Sequence, residues 1–361
     1  MAIALCPRAP RRSLRDRFAS ASRCLLLLAA FALSACPQMD LPLAPFDAGT
    51  DAGRPDSGVL APADAGSAAE DAGGDAGEDS GVPDPGDAGP DAGTPYADGG
   101  SGPFSLRIVA ANLSSGNGQS YDPGEGARIL KGLQADIILV QELNFGANQP
   151  ADLRGFVDTA FGPTFSYFRE AGGQIPNGVI SRYPIVASGE WDDPLTDTRD
   201  FAWARIDLPG PADLWAVSVH LLTSNAAQRA DQVSALLAQL ALLPPEDLVV
   251  LGGDFNTGSR TETCLARLAA YFKTTAPYPV DQSGNGNTNA GRDRPYDWVL
   301  ADTQLQAHAA AVRVKAGSFP NGLVFDSRVY SPLSDVPPAQ AGDSAAVNMQ
   351  HMAVVRDFVL P

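Results

Sequence analysis

Histidine is scarce in this chain, with three in 361 residues, at positions 220, 308 and 351. Chemistry that needs a side chain titrating near neutrality therefore has few places to sit. Cysteine is almost as rare: there are four, and only Cys264 lies beyond residue 36. A domain with one cysteine cannot close an internal disulfide and must rely on its core. Basic residues are outnumbered, with 25 Lys+Arg against 42 Asp+Glu and a formal charge of −17. The imbalance is uneven, since residues 1–36 hold 6 basic and 1 acidic residue, residues 37–102 hold 1 and 14, and residues 103–361 hold 18 and 27. An acidic region of this kind disfavours tight, metal-free adhesion to a polyanion, but not a polyanion met through a divalent cation. The apolar run Leu25 to Ala32 is too short to span a bilayer as a helix.

What is present falls into three parts. Residues 1–36 carry a basic stretch (Arg8, Arg11, Arg12, Arg15, Arg17, Arg23), the short apolar run, and then Leu33-Ser34-Ala35-Cys36. That ending resembles a bacterial lipoprotein signal, which implies cleavage before Cys36 and acylation of its thiol; an ordinary secretory signal is the alternative. The implied localisation is a membrane-anchored lipoprotein, periplasmic or on the cell surface, touching the membrane through its lipid alone. Residues 37–102 repeat Asp-Ala-Gly seven times among prolines. With few large apolar side chains to offset ordering entropy, this segment reads as an extended, disordered tether. Its aspartate spacing does not match a calcium-binding hand motif. Residues 103–361 read as one folded domain.

In that domain, apolar strands end in polar tips. Leu106 to Ala111 leads into Asn112, and Asp136 to Gln141 leads into Glu142. A carboxylate at the end of a buried strand needs a partner, which can be a metal, a salt bridge or a helix cap. Asn177 to Ile185 reads as a strand into a turn. Phe201–Leu208 and Asp213–Val219 form a hairpin that ends at His220, and Ala226 to Leu243 is an amphipathic helix. Pro123 to Leu133 is another helix. Asp247 to Leu251 runs into Gly252-Gly253-Asp254-Phe255-Asn256, where alternation places Asp254 and Asn256 on one face and Phe255 in the core. A Gly-Asp turn with an Asx cap is the plainer reading of the same residues. Arg294 to Leu300 is a strand carrying Asp297, and the chain closes with Asn348 to Val355, where His351 enters a final strand. His308, in an Ala-rich segment, reads as a surface residue.

The order strand-Asn, strand-Gln-Glu, Ser-Arg-Tyr-Pro-Ile, strand-His-Leu, Gly-Asp-Phe-Asn, Tyr-Asp-Trp-Val-Leu and a terminal His resembles the endonuclease/exonuclease/phosphatase superfamily, over about residues 104–361. The resemblance implies an α/β fold, a four-layer α/β sandwich of two packed mixed β-sheets flanked by helices. It implies a metal-dependent phosphodiester hydrolase, foremost a nuclease, acting as a monomer on a phosphodiester substrate such as nucleic acid. A phospholipid or sugar-phosphate phosphodiesterase is the rival enzyme, and a catalytically silent surface binding module the rival of another kind. Carried over by residue, Glu142 would ligand Mg²⁺ (or Mn²⁺) with Asn112 beside it. Asp254 and Asn256 would position water and phosphoryl oxygens, and Asp297 would fix the tautomer of His351. His220 would contact the phosphate or assist the leaving oxygen. Arg199 and Glu170 would contact phosphate and orient His220.

These residue types suit the reaction. A phosphodiester repels nucleophiles until its oxygens are neutralised, which a hard cation does as a Lewis acid. An imidazole near neutrality can take a proton from water, and a carboxylate behind it stabilises the cation formed. One departure matters: where the family pattern reads Ser-Asp-His, this chain has Met349-Gln350-His351. Neutral Gln350 adds no charge, which puts a second metal in doubt. Deleting residues 40–100 should leave melting temperature and turnover on a soluble substrate unchanged, because the segment has nothing to pack with. A large fall in melting temperature would show instead that it docks on the domain.

Overall fold

Two-residue alternation builds this domain. The computed structural model describes residues 102–114, 124–346 and 349–361. The signal with Cys36, the tether up to residue 101, and Pro123 and Asn348 at the ends of two expected elements lie outside the described residues. Fourteen strands are labelled in chain order: β1 Phe104–Asn112, β2 Ile137–Gln141, β3 Ser166–Arg169, β4 Gly178–Ser181, β5 Ile185–Trp191, β6 Phe201–Ile206 and β7 Leu214–His220, then β8 Leu248–Asp254, β9 Asp297–Ala301, β10 Ala309–Ala310, β11 Val312–Val314, β12 Gly317–Phe319, β13 Leu323–Phe325 and β14 Ala353–Leu360. The helices are α1 Glu125–Leu133, α2 Pro150–Ala160, α3 Ala226–Leu240, α4 Thr263–Leu268 and α5 Thr303–Gln306.

One sheet runs β10-β14-β1-β2-β4-β3, with β13 also paired to β14, and the other runs β5-β6-β7-β8-β9. Both are mixed, because β1–β2 and β7–β8 are parallel while their neighbours are antiparallel. Leu106, Ile108 and Ala110 of β1, Ile137 and Leu139 of β2, Leu214 and Ala216 of β7, Val250 of β8 and Val299 of β9 meet in the core between the sheets. The intervening residues face outward. Val109 and Ile138 pack with α1 and α2 through Ile129, Leu133 and Phe156. Val217 and Leu251 pack with α3 and α4 through Val233, Leu236 and Leu265. The result is the expected four-layer order of helix, sheet, sheet and helix.

Local rules set the ends of these elements. Asn225 caps α3, its side chain accepting from the N–H groups of Ala227 and Gln228. The helix stops at Leu240, not at Leu243, because Pro244 disfavours helical backbone just before it and Leu242 is left exposed. The final strand begins at Ala353, so His351 sits in the preceding loop, tied to Asn289 by an isolated bridge. Strand β8 ends at Asp254, and Asn256 has φ 50, so alternation does not extend to it.

The two glycines before Asp254 allow close approach. Gly253 has φ 132, and a Cβ there would lie 2.1 Å from the Val219 carbonyl oxygen and 2.6 Å from Gln141 Nε2. Gly210 has a similar φ of 119 but nothing nearer than 3.8 Å. Gly253→Ala should therefore destabilise by roughly 1–3 kcal/mol beyond the strain felt at Gly210→Ala, since backbone cannot give way. Denaturant unfolding of the two variants checks this; equal losses would dismiss the crowding argument.

Candidate active site

The core parity of five strands carries through to polar residues at one end of the sheets. Asn112, Gln141, His220 and Asp254 close β1, β2, β7 and β8, Asp297 opens β9, and all five keep the inter-sheet parity of core residues in their own strands. In the second sheet, His220 pairs with Asp254 and Asp254 with Asp297, forming one row across β7, β8 and β9. Two hydrogen bonds tie the sheets together beside this row: Gln141 Nε2 donates to Ser218 Oγ, and Ser218 Oγ donates to the Val140 carbonyl, both at 2.9 Å.

Asp254 lies at the centre and is 1% exposed. Its Oδ2 is 3.0 Å from Asn112 Nδ2, 3.3 Å from His220 Nε2 and 3.5 Å from His351 Nε2, while Oδ1 accepts the Asn256 N–H at 2.9 Å. Asn112 Nδ2 also reaches Glu142 Oε1 at 3.2 Å, so one amide serves two carboxylates from different sheets. Asn112 is held by its own Oδ1, which accepts the Ser114 N–H. Glu142 follows the end of β2 with φ 58, a left-handed backbone that turns it out of the strand alternation. On the far side of His351, Nδ1 lies 3.0 Å from Asp297 Oδ2.

Electrostatics separates the two histidines. Burial pushes His220 well below its ordinary value, and Arg199 and His351 push it further. Burial thus favours neutral His220, whose Nε2 faces Asp254. Burial also opposes charge on His351, but Asp297, Asp254 and Glu142 together outweigh it and raise the imidazole to about 10. Asp254 is pushed up to about 6, first by burial and then by Asp297, with His351 offsetting part of this. Asp297 Oδ1 is buried with no hydrogen-bond partner. The cluster thus holds more buried carboxylate charge than its side chains compensate. Clustered carboxylate oxygens of this kind fit a hard divalent cation. Two placements are available: Glu142 with Asn112, or Asp254, Asp297 and His351, whose ligand atoms lie within 4.8 Å of one another.

Other expected residues are placed differently. Asn256 Nδ2 donates to the Leu221 carbonyl at 2.9 Å, so the side chain braces the loop after β7. Arg199 is buried and grips backbone: Nε donates to the His220 carbonyl at 2.5 Å and Nη2 to the Leu221 carbonyl at 3.1 Å. It orients His220 through the main chain. Glu170 makes no hydrogen bond to His220; its Oε2 accepts the Asp200 N–H at 3.0 Å. His308 is half-buried and apart from the cluster. Gln350 is exposed, and its N–H donates to Ser114 Oγ at 2.9 Å. The cross-sheet pair Gln141–Ser218 was not expected from sequence, although the alternation that marks Asn112 as inward-facing marks both of them too.

Residues 110–335 match the model of a family described as the Endonuclease/Exonuclease/phosphatase family. Among solved structures, an endonuclease/exonuclease/phosphatase from Bacteroides vulgatus is 15% identical, with a TM-score of 0.50 over 71% of this chain and 99% of that one. A functionally unknown conserved protein from Enterococcus faecalis V583 is 13% identical, also at 0.50 over 71% and 99%. Both share the fold. No curated protein sequence matches the chain.

Burial raises Glu170 to about 8, with the Asn177 and Asp200 N–H groups offsetting only part of the effect. Folded protein therefore holds a proton that unfolded protein releases from its ordinary value near 4.5 upward. Stability from this group is full below that value and is lost as pH rises through about 8. Glu170→Gln removes the titration and should gain melting temperature relative to wild type between pH 5 and pH 8. An equal gap at both pH values would refute the assignment.

Proposed function

Since this chain belongs to the endonuclease/exonuclease/phosphatase family, we propose that it is a metal-dependent phosphodiester hydrolase acting on nucleic acid. The supporting observation is the meeting at Asp254 Oδ2 of Asn112, His220 and His351, with Asp297 behind His351. These are the residue types that bind a phosphate, hold a cation and move a proton, brought together from separate parts of the chain.

In this reading Glu142 holds the cation with Asn112 beside it, and Mg²⁺ or Mn²⁺ bound there supplies positive charge to the phosphoryl oxygens. Asp254, fixed by the Asn256 N–H and by Asn112, orients the attacking water. His220, neutral and carrying its proton on Nε2, offers a hydrogen bond to a phosphoryl or leaving oxygen once it turns from Asp254. Asp297 holds His351 by Nδ1, so Nε2 is the atom that exchanges a proton with the reacting group. At a pKa near 10 His351 is a proton donor at pH 7. It becomes a proton acceptor only when the charge of Glu142 and Asp254 is compensated. The domain is proposed to work from a lipid anchor at Cys36 at the end of the 37–102 tether; an acylated N-terminal peptide in mass spectrometry would be the expected product.

The decisive test pairs two variants. Glu142→Gln keeps shape but loses charge, and should weaken metal affinity and slow hydrolysis. His351→Ala should lower turnover by roughly 10²–10⁴, the range for a general acid–base group, with metal affinity largely kept. Activity on DNA and on a bis-aryl phosphodiester should vanish with chelator and return with Mg²⁺ or Mn²⁺. Loss of metal affinity in His351→Ala would move the cation to the Asp254–Asp297–His351 placement. Folded variants with near wild-type turnover would sink the hydrolase reading.

A further inference from the structure

A core position of the last strand is occupied by an arginine. On β14, Val354, Arg356 and Phe358 share a face, and Val354 and Phe358 pack in the core between the sheets. Arg356 is 9% exposed, and its guanidinium lies 5.3 Å from the Phe358 ring centroid. Nη2 donates to Gln306 Oε1 at 2.9 Å, and Nη1 reaches the Val299 carbonyl at 3.4 Å. Both partners are neutral. Burial alone accounts for the lowering of its pKa, with no carboxylate acting against it. A buried guanidinium without a counter-charge is costly, and such charges are ordinarily paired.

Arg356 lines a cavity of about 100 Å³ at the edge of the sandwich, where two other cations, Arg260 and Lys273, also stand. Arg260 lies 4.9 Å from the Tyr278 ring centroid; among the described residues it donates only to Asn287 Oδ1 and the Gly286 carbonyl, and its buried Nε has no partner. Lys273 Nζ donates to Thr275 Oγ1 and the Ala276 carbonyl. One carboxylate, Asp297, is in the wall, and its Oδ2 is held by His351. The rest of the wall is largely apolar, with Trp298 and several prolines. One water needs roughly 10–15 Å³ on this scale, so the space admits a small oxyanion.

We propose that this slot binds a phosphoryl-type anion, either free phosphate or the phosphoryl end of a monoester, through Arg356 and Arg260 with Lys273 at its mouth. Guanidinium pairs suit such oxygens because they offer paired, charge-assisted donors in a fixed plane. The slot borders the Asp254 cluster at Asp297, but its cations, Arg356, Arg260 and Lys273, take no part in the hydrolase reading.

Calorimetric titration of the full chain in excess chelator tests this, with inorganic phosphate and phenyl phosphate as the probes. Wild type should bind with one site, and Arg356→Gln and Arg260→Gln should each weaken binding about tenfold or more, as for a lost charge-assisted hydrogen bond. Phosphate should raise the melting temperature of wild type and not of Arg356→Gln. Preference for phenyl phosphate identifies the monoester as the source, and binding of inorganic phosphate alone identifies the free ion. If Arg356→Gln fails to fold, Arg260→Gln decides. No binding by wild type, or affinity unchanged in the folded variants, overturns the proposal. Metal-dependent turnover is measured separately, so failure here leaves the hydrolase test standing.

Discussion

Asp254 and Asp297 face each other across an antiparallel ladder, buried, with the same sign of charge. Like charges in register oppose pairing, and burial multiplies the penalty. The surrounding structure is arranged to bear it. His351 enters from the loop before β14 to lie against both carboxylates, Asn112 crosses from the other sheet to Asp254, and the Asn256 N–H takes the remaining oxygen. Gly253 lets the strand end come close enough to β7 and β2 for these contacts to form. The relation between the two sheets is set by this row as much as by the apolar residues behind it.

The same row explains why so much of the site was legible in the sequence. An apolar strand whose core-facing alternation ends in a polar residue announces itself, as Asn112, His220 and Asp254 do, and Asp297 shows the same pattern at the start of its strand. Where alternation fails, the reading fails with it. Asn256 sits past the strand in a left-handed turn, and its amide braces the Leu221 carbonyl. His351 was expected inside the final strand but lies two residues before it, where an isolated bridge to Asn289 holds it in the loop. Arg199 was expected at phosphate, but a sequence does not show that a guanidinium will be spent on backbone carbonyls. Strand β5 lacked an apolar pattern because it is an edge strand with little buried surface. Strands β10 to β13, two or three residues each, are too short for any period to be seen.

Two histidines of one cluster are driven to opposite charge states by position alone. His220 is flanked by the Arg199 guanidinium and faces one carboxylate, so burial wins and it stays neutral. His351 is surrounded by Asp297, Asp254 and Glu142, so attraction wins and it is cationic. This division leaves chemically identical rings in different states: one neutral, the other an imidazolium held by the carboxylates around it. It also explains why one imidazolium is not enough. Asp254 stays raised toward 6 and Asp297 Oδ1 stays without a partner even with His351 charged.

Beside strand β9 stand two charges that the fold could have cancelled. Asp297 at its start belongs to a carboxylate-rich cluster, and Arg356 beside its Val299 carbonyl belongs to a cation-lined cavity that Asp297 also borders. A direct ion pair between them would have relieved both, since a buried charge is tolerated chiefly when paired. Instead Asp297 is turned to His351, and Arg356 rests on a carbonyl, an amide and a phenyl ring. Keeping the charges apart costs stability at both sites. That cost is intelligible if each site is matched by something from solution, a divalent cation at the carboxylates and an oxyanion at the guanidinium groups. Each ligand, once bound, would raise the folded population only at concentrations above its own dissociation constant.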